Sequence, residues 1–371
     1  MKLIYKFLLY SLFSSLIVSC VPINSLFLFH PDKKDIKRFP YKKIEPSEEC
    51  FEFKKSLDNY GKKIIINDCS NGRPNFINIE DFSPTHNIRS FIIIQNDTIK
   101  YEYYGQGTGK NTLHPSYSLA KSFISALIGI AIDEGLIKSS NDFVIDYLPD
   151  LCTHQYYNQL KISHLLNHTS GIKSDIKIDA HIYYGPDIYK GLNKLNFNYK
   201  PGTKQEYLNV NTQILGLIIK QATKKSPAIY LQEKIWKPLN MCNHAIWSTD
   251  KRNKIEKTFC CLGATSLDYA KFGKLYLGKG KFIDNQIISE EWLNKTINYN
   301  TNEGGNKYYN NSWYLGLEKY GDFMAKGLYK QYIYLNPNKN LIIVILNNRE
   351  DKVKSEKVKW IYILRQISDQ L

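Results

Sequence analysis

The stretch 118–134, SLAKSFISALIGIAIDE, constrains the fold of this chain more than any other. Its apolar residues do not keep to one stripe. Leu119, Ala120, Phe123, Ile124, Ala126, Leu127, Ile130 and Ala131 together cover nearly every face of a helix. A helix that is apolar all round has to lie inside a domain, covered on each side by other elements. Gly135 follows directly, at the kind of position where helices stop. The pattern predicts a central buried helix from about Ser118 to Glu134.

The rest of the chain supplies the covering elements. Residues 89–95 are short and β-branched, Asn96-Asp97 is a turn, and residues 98–104 alternate, which predicts a hairpin. Helical apolar spacing recurs over 162–167, 211–222, 227–235 and 266–276. Strands return at 331–335 and 341–346 around Asn336-Pro337-Asn338-Lys339, and a last helix is predicted over about 352–367. Strands at both ends with helices between them predict an α+β fold. An antiparallel sheet is formed by both chain ends, with flanking helices and an inserted all-helical subdomain over approximately 138–265. The hydrophobic fraction of 43% in 371 residues rules out global disorder.

The first residues read as an export signal. Lys2 and Lys6 precede an apolar run from Phe7 to Val18, and Ser19-Cys20 follows. Residues 1–19 are expected to be a signal peptide, and the Ile17-Val18-Ser19-Cys20 ending resembles the bacterial lipoprotein box, which implies cleavage before Cys20 and a lipid on its sulfur. Residues 20–45, with Pro22, Pro31 and Pro40 among charges, are expected to be a tether. An uncleaved signal anchor is the alternative, because Leu26-Phe27-Leu28-Phe29 extends the apolar character. Either way, residues 46–371 are expected to form one folded domain, facing the periplasm or the cell exterior.

The formal net charge of +15 raises the question of nucleic acid. The lysines are spread along the whole chain with no basic block or arginine-rich arm, so a solvated surface is expected instead. Seven cysteines suit an oxidising compartment. Beyond Cys20, six cysteines allow about 15 pairings among which the sequence does not choose; the simplest is Cys50 with Cys69, which bracket a short polar segment. Cys260-Cys261 lacks the paired spacing of a zinc site and is expected to be two buried thiols. No metal or cofactor is expected.

Ser118-Leu119-Ala120-Lys121 is an S-x-x-K motif at the mouth of the predicted central helix. Ser174–Lys177 and Ser248–Lys251 match the same pattern in polar, loop-like sequence. Only Ser118 opens a buried helix. A spacing of three places both side chains on one helix face. A backbone N–H at a helix N-terminus is free to meet an oxyanion. A lysine in apolar surroundings loses its preference for the charged form and becomes a base.

Further segments follow in a recognisable order. They are ISHLLNHTSG at 162–171, Pro201-Gly202-Thr203 with Tyr207-Leu208-Asn209, EKIWKPLNM at 233–241, Phe259-Cys260-Cys261-Leu262, and Ala270-Lys271-Phe272-Gly273. Together with 118–137 this set resembles the β-lactamase-related serine hydrolases over roughly residues 80–350. That family includes class C β-lactamases, D-alanyl-D-alanine carboxypeptidases, esterases and 6-aminohexanoate-dimer hydrolases.

The resemblance implies acyl transfer. Ser118 is the nucleophile, and Lys121 and Tyr207 handle its proton, with Tyr207 as a phenolate-like base whose pKa nearby ammonium groups lower. Asn209 binds the lysine or the substrate amide. Gly327, Leu328 and Gln331 line the substrate and oxyanion side.

The family's third motif, Lys-Thr-Gly, departs here to Ala325-Lys326-Gly327. Strand alternation turns Lys326 away, and related hydrolases often carry glycine where this chain has Lys330. The missing cation favours a small ester or amide over a penicillin or a peptidoglycan stem. A D-alanyl-D-alanine carboxypeptidase or β-lactamase is the alternative, and a non-catalytic surface protein of the same fold is a further one. His164 and His168, with Asp133 and Glu134, are expected to shape a loop beside the site rather than build a triad.

Overall fold

The computed structural model describes residues 31–173, 175–347 and 358–371. The export signal, Cys20, Ser174 and residues 352–357 of the predicted last helix lie outside the described residues. From the N-terminus, a helical turn at Asp35–Arg38 leads into β1 (Tyr41–Ile44) and β2 (Lys54–Lys55). The expected hairpin follows as β3 (Ser90–Gln95) and β4 (Thr98–Tyr104), then β5 (His114–Pro115). The central helix α1 spans Ala120–Asp133 and is entered through a 3-10 turn at Tyr117–Leu119.

The middle of the chain carries α2 (Ile162–Leu166), α3 (Ile176–Tyr184), α4 (Asn209–Thr223) and α5 (Pro227–Leu231). Strands β6 (Ala245–Ser248) and β7 (Leu262–Ala264) and helix α6 (Ser266–Leu277) come next. Then come β8 (Tyr309–Asn310), β9 (Trp313–Leu315), β10 (Phe323–Gly327), β11 (Gln331–Asn336), β12 (Leu341–Leu346) and α7 (Trp360–Asp369).

The main sheet runs β8-β9-β10-β11-β12-β3-β4-β2. It is antiparallel except where the two-residue β2 joins β4. Both chain ends meet at its centre, where β12 pairs with β3 from Leu341↔Gln95 to Leu346↔Ser90. All six residues of β12 are buried, because helices cover both faces. Ile92, Ile94, Ile342 and Val344 face the core that contains α1 and α6. Phe91, Ile93, Ile343 and Ile345 face α7 through Trp360, Ile363 and Leu364. Alternation along each strand thus feeds two cores.

The inserted region is not all helical. β6 and β7 form a second sheet in the order β1-β6-β7-β5, so residues from three parts of the chain close it. This also corrects the tether. Tyr41–Ile44 pairs with Ala245–Ser248, so the described residues 31–45, expected to be a tether, are part of the fold.

The disulfides differ from expectation as well. Cys50 pairs with Cys242, not Cys69, because Phe51 N–H donates to Asn240 O and fixes Cys50 beside that turn. Cys69 is a free thiol, and Cys260 and Cys261 are joined to each other. Among the described residues no helix is long and apolar enough to cross a membrane.

Candidate active site

Ser118 sits in the 3-10 turn just before α1 rather than in the helix itself. Tyr117 adopts a left-handed φ of 44° there, which turns the chain sharply. Ser116 holds the turn to β7. Its N–H donates to Leu262 O at 2.7 Å, and its hydroxyl accepts from Leu262 N at 3.2 Å. Ser118 stays half-buried while Tyr117, Leu119 and Ala120 are buried around it.

One turn on, Lys121 is 1% exposed. Its Nζ lies 3.1 Å from Ser118 Oγ, 3.0 Å from Asn209 Oδ1 and 2.9 Å from Phe259 O. Burial pushes this ammonium down from 10.5 to about 7, and the carboxylate of Asp179 resists that change. The partners also fix how a neutral amine would sit. Asn209 Oδ1 and the Phe259 carbonyl can only accept, so they take both N–H groups. The remaining lone pair then faces the Ser118 hydroxyl.

Tyr207 closes the other side. Its hydroxyl hydrogen-bonds to Ser118 and Tyr314. The residue as a whole is 43% exposed, while its hydroxyl is held between these two partners. Burial pushes the phenol well above its ordinary value, and the hydrogen bond from Ser118 only partly offsets this. This overturns the expected phenolate-like base. Lys121 Nζ lies 4.9 Å from the Tyr207 ring centroid, and a lysine near neutrality supplies little positive charge to hold a phenolate.

Asn209, the first residue of α4, joins Lys121 to Asp179 on α3, with which its side chain also hydrogen-bonds. Burial raises the Asp179 carboxyl above its ordinary value, and Lys121 and Asn209 pull it back. Asp179 is not among the residues the sequence singles out, and the stretch just before it, Ser174–Lys177, reads as polar and loop-like. The signal that marks α3 is Asp175, whose side chain caps it at Lys177 N, followed by buried Ile178 and Ile182 one turn apart.

The strand side is mixed. Gly327 ends β10 against the nucleophile turn, where a Cβ would come 2.7 Å from Ser116 O. β9 pairs only with Phe323 and Met324, which leaves Ala325–Gly327 free of a strand on that edge. Leu328 is 46% exposed beside it. Lys330 has a left-handed φ of 63°, the conformation that suits glycine.

Gln331 is not a substrate residue. It is fully buried, with Nε2 donating to Pro115 O and Asn347 O and Oε1 accepting from Asn347 N. Ala325 is buried in the core as alternation requires. Lys326, on the opposite face, does not point away into solvent. Its Nζ lies 4.5 Å from the ring centroid of Tyr314, the neighbour of Tyr207.

The histidines act as supports. His164 Nδ1 accepts from Lys161 N–H at the start of α2, and Nε2 lies 3.2 Å from Glu303. His168 packs its ring 4.3 Å from that of Tyr207, with Nδ1 accepting from Leu208 N–H and Asn211. Asp133 and Glu134 stand at the far end of α1, about 20 Å of helix away from Ser118.

A half-buried serine meets a buried lysine at the entry to the central helix, and strand β10 passes beside them. That is the arrangement of the serine β-lactamase/transpeptidase fold. The chain belongs to the Beta-lactamase family, which its residues 89–367 match. It is similar to the 6-aminohexanoate-dimer hydrolase of Paenarthrobacter ureafaciens, at 22% identity over 71% of this chain and 73% of the relative. It is also similar to protein flp of Staphylococcus aureus, at 25% identity over 62% of this chain, and spans about half (52%) of that protein's length.

Among solved structures, a Bacillus anthracis protein provisionally described as a 6-aminohexanoate-dimer hydrolase superposes with a TM-score of 0.77. The identity is 22%, with coverage of 90% of this chain and 89% of that one. A class C beta-lactamase gives 0.60 at 18% identity, covering 79% and 94%. Family and fold make the chain a hydrolase of the kind that cleaves amide or ester bonds.

Proposed function

We propose that this protein is an exported serine hydrolase that cleaves a small ester or amide through an acyl-enzyme on Ser118. The observation that carries the reading is Lys121 Nζ, buried 3.1 Å from Ser118 Oγ with its pKa pushed down to about 7. Near neutral pH a large fraction of the amine is unprotonated, with its lone pair toward the hydroxyl.

The step balances as follows. Lys121 takes the Ser118 proton while Oγ bonds to the carbonyl carbon and the carbonyl π pair moves onto oxygen. Backbone N–H groups of Ser118 and Leu328 receive that oxyanion. Its collapse breaks the bond to the leaving group, which takes the proton from Lys121 through the Tyr207 hydroxyl. Tyr207 stays protonated at rest and relays rather than stores the proton. Water then attacks the acyl-enzyme by the reverse proton path, releasing the acid and Ser118. Asn209 keeps the amine aimed throughout.

Wild-type protein should label with a fluorophosphonate probe and hydrolyse a short p-nitrophenyl ester. Ser118→Ala should lose both while keeping its fold by circular dichroism. Substantial turnover in that variant would remove Ser118 from the mechanism. A fluorescent penicillin tests the substrate class. Its labelling of Ser118 would move the reading to the peptidoglycan-directed alternative, against which the core-facing Ala325 weighs.

The leader and Cys20 support a lipid anchor on the outer side of a membrane. Cys20→Ala should release the protein from the membrane fraction, and its retention there would favour the uncleaved anchor.

A further inference from the structure

Residues 31–40 pack against three elements that border the site: the β10–β11 turn, β7 and α3. Pro31 O accepts from the Tyr329 hydroxyl at 2.6 Å. Tyr329 lies in the β10–β11 turn, next to Leu328, and its ring meets that of Tyr117 edge-on at 5.2 Å. The segment therefore grips the turn beside the oxyanion side and the residue that precedes Ser118.

Ile36 covers β7 at Gly263, where a Cβ would come 2.3 Å from Ile36 Cδ1. Gly263 pairs with Pro115, two residues before the nucleophile turn.

The third contact is polar and buried. Asp35 is 4% exposed and accepts from the Tyr183 hydroxyl at 2.8 Å and from Asp32 N–H at 2.9 Å. Arg38 supplies the countercharge. Tyr183 is on α3, one turn after Asp179, so both residues lie on one face of that helix. Its ring is 6.2 Å from that of Phe259, whose carbonyl receives Lys121. Phe39 meets Tyr183 edge-on at 5.6 Å.

We propose that residues 31–40 are a clasp for the catalytic site and that Asp35 is its positioning residue, acting through Tyr183. The role rests on the serine hydrolase reading above. Asp35 touches no reacting atom. Without it, Tyr183 keeps a buried hydroxyl without its Asp35 acceptor, and the last turn of α3 loses its side-chain bond to the clasp, leaving Lys257 on its carbonyls. A small shift of α3 moves Asp179 relative to Lys121 and disturbs Phe259 through its ring contact with Tyr183, and displacements of this kind are costly to catalysis.

The test uses the full-length protein, with active enzyme counted by fluorophosphonate titration. Asp35→Ala should lower kcat for a small ester by ~10-fold while leaving KM within about twofold. Asp35→Asn keeps an acceptor oxygen for Tyr183 and should recover most of kcat. Tyr183→Phe should match Asp35→Ala, and the double variant should add little to either.

Hydrogen–deuterium exchange gives a readout that does not need activity. Amides of 176–184 and of the 328–330 turn should exchange faster in Asp35→Ala. Wild-type kcat per titrated site in Asp35→Ala would overturn the proposal, as would equal losses in Asp35→Asn and Asp35→Ala. If the wild type neither labels nor turns over ester, the hydrolase reading fails, and unchanged exchange then overturns the clasp by itself. If Asp35→Ala does not fold, Tyr183→Phe and Tyr329→Phe, which each lose one hydroxyl, carry the same expectations.

Discussion

Two lysines of this protein are almost equally buried and differ in what they can do. Lys121 and Lys257 are each 1% exposed. Burial lowers both, to about 7 and about 8. Each lies over aromatic rings and donates to backbone carbonyls. Lys257 Nζ is 4.6 Å from the Phe39 ring centroid and bonds Tyr183 O at 2.7 Å and Ile182 O at 3.2 Å.

The difference is the third partner. Lys121 has a hydroxyl at 3.1 Å, whereas the bonds of Lys257 go to carbonyl oxygens that have no proton to give. A depressed pKa alone therefore does not make a base. The lone pair must face a proton donor, and the donor must be reachable from outside, as half-buried Ser118 is. Lys257 is read instead as a structural cation that ties the end of α3 to the clasp.

Paired substitutions can break this comparison. Lys121→Met should cut ester turnover by ~10³-fold or more, since no second base faces Ser118. Lys257→Met leaves two carbonyls unpaired, costs about 1–3 kcal/mol for each, and lowers the unfolding midpoint. Its turnover per titrated site should stay within about tenfold of wild type. Equal losses in the two variants would mean that burial, not the serine contact, distinguishes Lys121 from other lysines.

Stability carries the opposite signature at Lys121. The amine's pKa falls on folding from 10.5 to about 7, so the unfolded chain binds more protons between those values. The penalty is full below about pH 7 and fades as pH rises to 10.5. The denaturation midpoint of Lys121→Met relative to wild type should therefore fall steadily across that window. A difference that does not change with pH would show that Lys121 is charged in the folded protein.

Much of this site could be read from the sequence, because the signals were local. The all-apolar run after Ser118 could only be a buried helix. The hairpin at 90–104 and the strands at 331–346 announced themselves through β-branched residues and turns. Tyr207 and Asn209 came through their order after Pro201-Gly202-Thr203.

What escaped depends on contacts between distant segments. Cys50 and Cys242 are 192 residues apart, and the β1–β6 pairing together with the Ser47–Met241 and Phe51–Asn240 backbone bonds brings them together. Gln331 has the right place in its motif, but its amide is consumed by Pro115 of β5 and Asn347 just after β12. The phenol of Tyr207 was misjudged because its shift depends on burial, which a motif does not state. Asp179 was missed because nothing local distinguishes one acid on a short amphipathic helix from another.

Asp179 offers the smallest and most discriminating test. Its charge is the influence that holds the Lys121 pKa up against burial. Turnover of a neutral ester should rise with pH as Lys121 loses its proton, levelling above about 7. Asp179→Asn keeps the side-chain shape and removes the charge, so Lys121 should deprotonate at lower pH. At pH 6 the variant should then outperform wild type relative to its own plateau. The acid limb should not move in Lys257→Met, because that amine faces no substrate proton. An acid limb that stays in place in Asp179→Asn but moves in Lys257→Met would assign the titrating base to the wrong lysine and undo the comparison.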